Sequence, residues 1–236
     1  MIRTVAIVPA AGRGLRMGGS VPKQYLAIGG VPLVVHSLRV LEAAPSIDAI
    51  ILAVPHADVA YCRSDIIDAH GFAKVMTIVP GGEERQDSVR NALAAVDDRV
   101  EIVVVHDAVR PFLTLGMIED VVKAAKAGGA AIIAVPMRDT VKQVGADRII
   151  DRTIDRTSLW LAQTPQAFRR DWLQQAHDKA RQEGIRATDD AHLLEWAGRP
   201  VSIIEGSGEN IKVTRPEDMV IGEAILAFRR SGLGKG

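Results

Sequence analysis

Apolar, largely β-branched runs punctuate the chain at Val5-Ala6-Ile7-Val8, Ala49–Val54, Val75–Val79, Ile102–Val105 and Ala131–Val135. Continuous runs of this length, without polar alternation, describe strands buried on both faces, as in a parallel sheet covered by helices. Segments of helical period separate them, at Leu33–Ala43, Val59–His70, Ser88–Val96 and Met117–Ala127. Strand, helix and strand in this order build βαβ units with right-handed crossovers. The fold class expected is therefore α/β, a doubly wound, mostly parallel open sheet.

After Pro136 the pattern changes. Polar and apolar residues alternate in Thr140–Val144 and Arg148–Ile150 around a Gly145-Ala146-Asp147 turn, which predicts a β-hairpin. Helices follow at Arg170–Glu183 and Asp189–Ala197, then a strand at Val201–Ile204, a short apolar strand at Asn210–Val213 and a closing helix from about Pro216. No internal repeat or long linker divides the chain, so residues 1–236 read as one domain carrying an inserted hairpin arm at about 137–158. Such an arm caps a site, reaches a partner subunit or merely ornaments a sheet edge.

Composition narrows the picture. With 47% hydrophobic and 25% charged residues, one α/β domain can bury a full core. The 29 basic and 29 acidic side chains cancel, so no overall field favours nucleic acid or an anionic membrane as partner, and phosphate chemistry must rest on local clusters. The single cysteine, Cys62, excludes an intramolecular disulfide or a multi-cysteine metal site and reads as a helix filler in a reducing compartment. No stretch approaches the ~18 apolar residues of a spanning helix, and the first strand begins too early for a leader peptide. These features predict a cytoplasmic protein, with no fused module expected after Gly236.

The candidate chemistry begins in the loop after the first strand, Pro9 to Gln24. Its small residues Ala10, Ala11, Gly12 and Gly14 let backbone N–H groups converge on an anion at the C-terminal edge of the sheet, and Arg16 and Lys23 add charge there. The loop is not a dinucleotide fingerprint, because Gly18-Gly19 and Pro22 interrupt the helix that should follow. Nor is it a Walker loop, because Lys23 follows Pro22 and precedes Gln24. A solvated turn is the plain alternative.

Further along, Gly82, Glu83 and Ser88 follow the third strand and open a helix, either as a cradle for a base or phosphate or as a turn capped by Asp87 or Ser88. His106-Asp107-Ala108-Val109-Arg110 ends the fourth strand at the same sheet edge as the first loop. Asp107 is placed to hold Mg²⁺, a cation that takes carboxylate oxygen together with substrate phosphates. His106 lacks a metal-ligating neighbour at usable spacing and reads as structural. Thr188 reads locally as the N-cap of the next helix and Arg156 as a surface charge. Lys212, in the short apolar strand, needs an anion to meet its ammonium.

The residues Pro-Ala-Ala-Gly-x-Gly-x-Arg-Met at 9–17 and Pro-Lys-Gln-Tyr at 22–25 resemble the signature of sugar-phosphate nucleotidyltransferases. More closely they resemble the 2-C-methyl-D-erythritol 4-phosphate cytidylyltransferases of the non-mevalonate isoprenoid pathway, nearly end to end. The resemblance implies a Rossmann-like, glycosyltransferase-A-like nucleotidyltransferase fold that binds CTP and Mg²⁺. It gives Ala10, Ala11, Gly12, Gly14 and Ala108 to the nucleotide, cytosine and ribose contacts to Gly82, Glu83 and Ser88, and the triphosphate to Arg16, Lys23 and Lys212. It groups Arg156, Thr140, Thr164 and Thr188 around the acceptor, and makes Asp107 a substrate and metal ligand. It further implies a homodimer with shared sites, in which Arg110 and Thr140 are presented by the hairpin side of the other subunit.

The chemistry implied is an in-line displacement in which an acceptor phosphate oxygen attacks the α-phosphorus of CTP, catalysed by Arg16, Lys23, Lys212 and Arg156 through positioning and electrostatics. Val109 stands where that family commonly has Ala, which keeps a ribitol 5-phosphate cytidylyltransferase as an alternative. Residue types alone leave a guanylyl or uridylyl transferase open as well. A non-catalytic nucleotide-binding regulatory module would be expected to have lost some of Arg16, Lys23, Asp107 or Lys212, and all are present.

Overall fold

A computed structural model describes residues 3–12 and 21–231. Along the chain β1 (Thr4–Pro9) is followed by a short hairpin of β2 (Ala27–Ile28) and β3 (Val31–Pro32), then α1 (Leu33–Ala43), β4 (Ala49–Val54), α2 (Val59–Tyr61), β5 (Val75–Pro80), α3 (Arg85–Leu93), β6 (Ile102–Val105), α4 (Leu115–Gly128) and β7 (Ala130–Pro136). The arm supplies β8 (Val141–Val144) and β9 (Ile150–Ile154). Then come β10 (Trp160–Arg169), α5 (Arg170–Glu183), α6 (Asp190–Trp196), β11 (Ser202–Glu205) and α7 (Pro216–Arg230).

The described strands form a seven-stranded sheet in the order β11-β7-β10-β6-β1-β4-β5. Its two faces are separate cores, because successive strand side chains point to opposite sides. Ala6, Val8, Ile50, Leu52, Val54 and Val104 join α1 and α4 on one face. Val5, Ile7, Ile51, Val103 and Val105 meet α3, α5 and α6 on the other. This is why the runs of β1, β4 and β6 lack polar alternation: neither face sees water, and each fully buried Val, Leu or Ile contributes roughly 1.5–3 kcal/mol. A third cluster of Ile28, Leu33, Val109, Phe112 and Val213 lies beneath α7. No helix among the described residues is long and apolar enough to cross a membrane.

Four differences from expectation bear on the site. The strand β10 was not foreseen. It runs antiparallel between β6 and β7. Pro165 and two glutamines disguise it as a loop, and a register shift between Ala162 and Gln166 absorbs the proline. Second, Asn210–Val213 is extended loop and not strand. Asn210 anchors it sideways through Nδ2 to Gln163 Oε1 and the Thr164 carbonyl, and the Val213 amide donates to the Val109 carbonyl. Third, α3 begins at Arg85, three residues early, because Glu84 is its N-cap and forms a capping box with Asp87, displacing both Asp87 and Ser88 from that role. Fourth, the helix expected at 59–70 widens into a π-helical stretch over Cys62–Asp68, which brings Cys62, Ile66 and Ile67 together into the core.

Candidate active site

The parallel strands end at one edge, and the loops leaving that edge touch. The Ala10 amide donates to the Ala53 carbonyl and the Gly81 amide to the Val54 carbonyl, which draws the loops after β1 and β5 onto the end of β4. A Cβ at Gly81 would collide with that of Ala11, so only glycine permits this approach. Ser88 then pins the second loop: its hydroxyl accepts from the Gly82 amide at 3.1 Å and donates to the Glu84 carbonyl at 3.1 Å. Lys23 opens a single 3-10 turn and lays its ammonium end across Gly12.

These loops enclose a first cavity, lined by Ala10, Ala11, Gly12, Lys23, Gly82, Glu83, Ser88, Asp107, Ala108 and Lys212 among others. A second adjoins it, lined by Arg110, Thr164, Thr188 and Asp189 together with Asp107 and Lys212. At about 130 Å³ and about 220 Å³ neither is large. Joined across the residues they share, they enter the ~300–1,000 Å³ range of ligand sites.

The partition between them is electrostatic. Asp107 Oδ2 accepts from Lys212 Nζ at 2.7 Å and Oδ1 from Arg85 Nε at 2.8 Å. Arg85 Nη1 reaches Asp190 Oδ2 at 2.7 Å, and Asp190 Oδ1 lies 3.2 Å from His177 Nε2. Arg110 Nε stands 3.9 Å from Asp107. Three cations thus meet two carboxylates, and Lys23 lies nearby; since Glu83, Glu84 and Asp189 also line the cavities, it is the placement of the cations and not a net surplus that suits phosphate. Burial alone would raise the Asp107 carboxyl, but the Arg85 charge and then Lys212 hold it well below the ordinary carboxylate value. Asp190 is held down in the same sense by Arg85 and the His177 hydrogen bond against its burial.

Behind this partition His106 is fully buried and neutral: burial pushes its imidazole down to about 4, outweighing the pull of Asp107. The Arg110 carbonyl can only accept, so Nε2 carries the proton and Nδ1 accepts from the Thr164 hydroxyl at 3.1 Å. That hydroxyl accepts in turn from the Asp107 amide at 3.1 Å. The chain is donor-to-acceptor throughout, and it fixes the turn that carries Asp107. His106 is structural, as its sequence context suggested.

The remaining expectations divide. Thr164 lines the second cavity, but its hydroxyl is committed to this internal chain. Thr188 lines the same cavity, while the N-cap of α6 is Asp189, which accepts from the His192 amide at 3.0 Å. Arg110, expected on the side presented to another subunit, lines a cavity of its own chain, held by a 2.7 Å bond to the Asn210 carbonyl. Lys212 does meet an anion, and in this chain that anion is Asp107. Thr140 and Arg156 line neither cavity. They sit exposed at the base of the arm, where Arg156 donates to the Arg138 carbonyl. Gly14 and Arg16 lie outside the described residues. Arg85 was overlooked although its segment was singled out. Its charge at the start of a helix, where acidic residues are the usual choice, was the available signal.

Among the described residues no three His, Cys, Asp or Glu side chains gather as a metal cage. A lone carboxylate still fits Mg²⁺, which keeps waters and takes phosphate oxygens for its other positions. Asp107 has acceptor capacity beyond the bonds it accepts from Arg85 and Lys212, since a carboxylate offers about four lone-pair sites.

A family model described as 2-C-methyl-D-erythritol 4-phosphate cytidylyltransferase matches residues 4–228. A protein of that name from Pelotomaculum thermopropionicum is 50% identical over 235 residues, spanning 100% of this chain and 99% of the relative. Another from Syntrophus aciditrophicus is 51% identical over 224 residues, spanning 95% and 96%. The crystal structure of 4-diphosphocytidyl-2C-methyl-D-erythritol synthase from Anaerococcus prevotii aligns with a TM-score of 0.84 at 30% identity, covering 96% of each chain.

Proposed function

The chain belongs to the 2-C-methyl-D-erythritol 4-phosphate cytidylyltransferase family, and from that premise we infer its reaction: CMP passes from CTP to 2-C-methyl-D-erythritol 4-phosphate. Pyrophosphate is released and 4-diphosphocytidyl-2-C-methyl-D-erythritol is formed. The observation that carries the reading is the pair of adjoining cavities sharing Asp107 and Lys212, since the displacement needs two phosphate-bearing substrates held side by side.

The nucleotide occupies the first cavity, with its base against Gly82, Glu83 and Ser88 and its phosphates against the loop Ala10–Gly12, Ala108, Lys23 and Lys212. Gly14 and Arg16, outside the described residues, take their roles from sequence resemblance alone. The acceptor's phosphate enters the second cavity beside Arg110, Thr164 and Thr188. Its oxygen attacks the α-phosphorus, a new P–O bond forms, and the bond to the β-phosphate breaks with the electron pair leaving on pyrophosphate. The attacker is already an anion, so the protein's work is to hold two like charges together and neutralise the crowded phosphorus. Lys23 and Lys212 do this as compact point charges. Asp107 would hold Mg²⁺, which when bound supplies further charge neutralisation on the phosphates.

Arg156 and Thr140 need a second chain in this scheme. We assign the protein a homodimer in which each arm, with Val144, Ile149 and Ile150 exposed along it, reaches its partner and brings these residues toward the partner's acceptor cavity. A cytoplasmic location goes with CTP as substrate and with the reduced, buried Cys62. The Val109 departure lies away from the acceptor: Val109 joins the cluster beneath α7 and lines the first cavity, not the second. That removes the main reason for a ribitol phosphate acceptor.

The test is pyrophosphate release with Mg²⁺, crossing CTP, GTP and UTP against methylerythritol 4-phosphate and ribitol 5-phosphate. Release with CTP and methylerythritol phosphate alone is expected. Release with the ribitol compound moves the acceptor, and silence throughout supports a regulatory module.

A further inference from the structure

Arg85 stands between the two cavities. It is the first residue of α3, and its guanidinium spans two buried carboxylates brought from distant parts of the chain. Nε donates to Asp107 at 2.8 Å, at the end of β6, and Nη1 donates to Asp190 at 2.7 Å, at the start of α6. Asp107 lines both cavities, and Asp190 begins the helix that directly follows Thr188 and Asp189 on the wall of the second. Arg85 itself lines both. On its far side Asp190 is seated against His177, and Gln166 steadies the same segment through Asp189 Oδ2 at 2.8 Å and the Ala191 amide. Gln166 is an uncharged partner of this segment; Arg85 ties it by ion pairs to the nucleotide side. A planar guanidinium offers separate nitrogens in fixed geometry to the two carboxylates, where a lysine has a single ammonium.

We propose that Arg85 is a positioning residue that locks the acceptor half of the site to the nucleotide half, keeping the two substrates in register across Asp107 and Lys212. The inference rests on the cytidylyltransferase reading above. It separates the two halves experimentally. Asp190→Asn keeps the size and the hydrogen-bond acceptor but removes the charge Arg85 grips, so it loosens only the acceptor wall. Arg85→Lys keeps one charge and loses the fork, so it disturbs both.

The experiment is steady-state pyrophosphate release with each substrate varied in turn, beside calorimetric CTP binding to the same folded proteins. Wild-type turnover checks the underlying reading, and its absence overturns both. With an active wild type, Asp190→Asn is expected to raise KM for the acceptor about tenfold while CTP affinity moves less than twofold. Arg85→Lys is expected to lower kcat about tenfold or more, and Arg85→Ala further, so that lysine partly rescues. Should Arg85→Ala fail to fold, the two conservative variants carry the test. Unchanged kcat and both KM values in Arg85→Lys and Asp190→Asn, with only a lower melting temperature, would show a mere structural clamp and overturn the proposal.

Discussion

The charged centre and the hairpin arm are built on opposite principles. Lys212, Asp107, Arg85, Asp190 and His177 come from segments far apart in the chain, and they satisfy one another inside the fold. The arm is contiguous and exposed, stitched by its own cross-strand pairs, Lys142 to Thr153 and Arg152 to Gln143. Its apolar residues Val144, Ile149 and Ile150 face outward, and its site residues Thr140 and Arg156 reach neither cavity of their own chain. These members of the centre meet within one chain. In the proposed homodimer the arm acts on a second.

The sharpest way to break this comparison is to discharge the centre. Lys212→Ala and Lys23→Ala are each expected to lower kcat by roughly 10²–10³-fold, the usual scale for losing a charge aimed at a transition state. Acceptor KM should move far less, as steady-state pyrophosphate release will tell. A variant with normal turnover removes that lysine from the mechanism.

Acid should also find the centre before the arm. His106 has its folded value depressed from 6.5 to about 4 by burial, so the unfolded chain binds the extra proton first. The stability this provides is full above pH 6.5 and fades as pH falls toward 4, by roughly 3 kcal/mol at most. Urea midpoints measured at pH 7 and pH 5 should diverge in the wild type and converge in His106→Gln. An equally steep acid loss in that variant would reject the account.

The arm is tested next. Arg156→Ala is expected to raise acceptor KM about tenfold, the scale of one charge-assisted hydrogen bond to phosphate, with little change for CTP. Mixing inactive Lys212→Ala with Arg156→Ala at low acceptor concentration should restore about a quarter of wild-type activity, because a mixed symmetric dimer regenerates one intact site. No recovery in a mixture proven to exchange subunits would confine Arg156 to its own chain. The smallest effect belongs to the glycine loop: Ser88→Ala unpins the Gly82 amide and should weaken CTP binding by about 1 kcal/mol, a few-fold by calorimetry.

How legible all this was depends on where the deciding contacts lie. The bounds of α1, α5, β4 and β6 agree with the periodicity, because a strand buried on both faces and a helix with one buried face write their burial directly into residue order. β10 did not, since Gln163, Thr164 and Gln166 look like loop residues. They are buried because Asn210, His106 and Asp189 supply their hydrogen bonds from elsewhere in the fold. Polarity predicts exposure only where partners are lacking.

The sequence by itself determined the parallel sheet, the loops gathered at one edge and, through resemblance, the class of reaction. Only the tertiary structure decided that Arg110 lines a cavity of its own chain, that Lys212 rests on Asp107, and that Arg85 reaches both Asp107 and Asp190. The reason is range: Arg85 grips one carboxylate 22 residues away and another 105 residues away. An ion pair of that span leaves no periodicity in a sequence and exists only once the chain has folded.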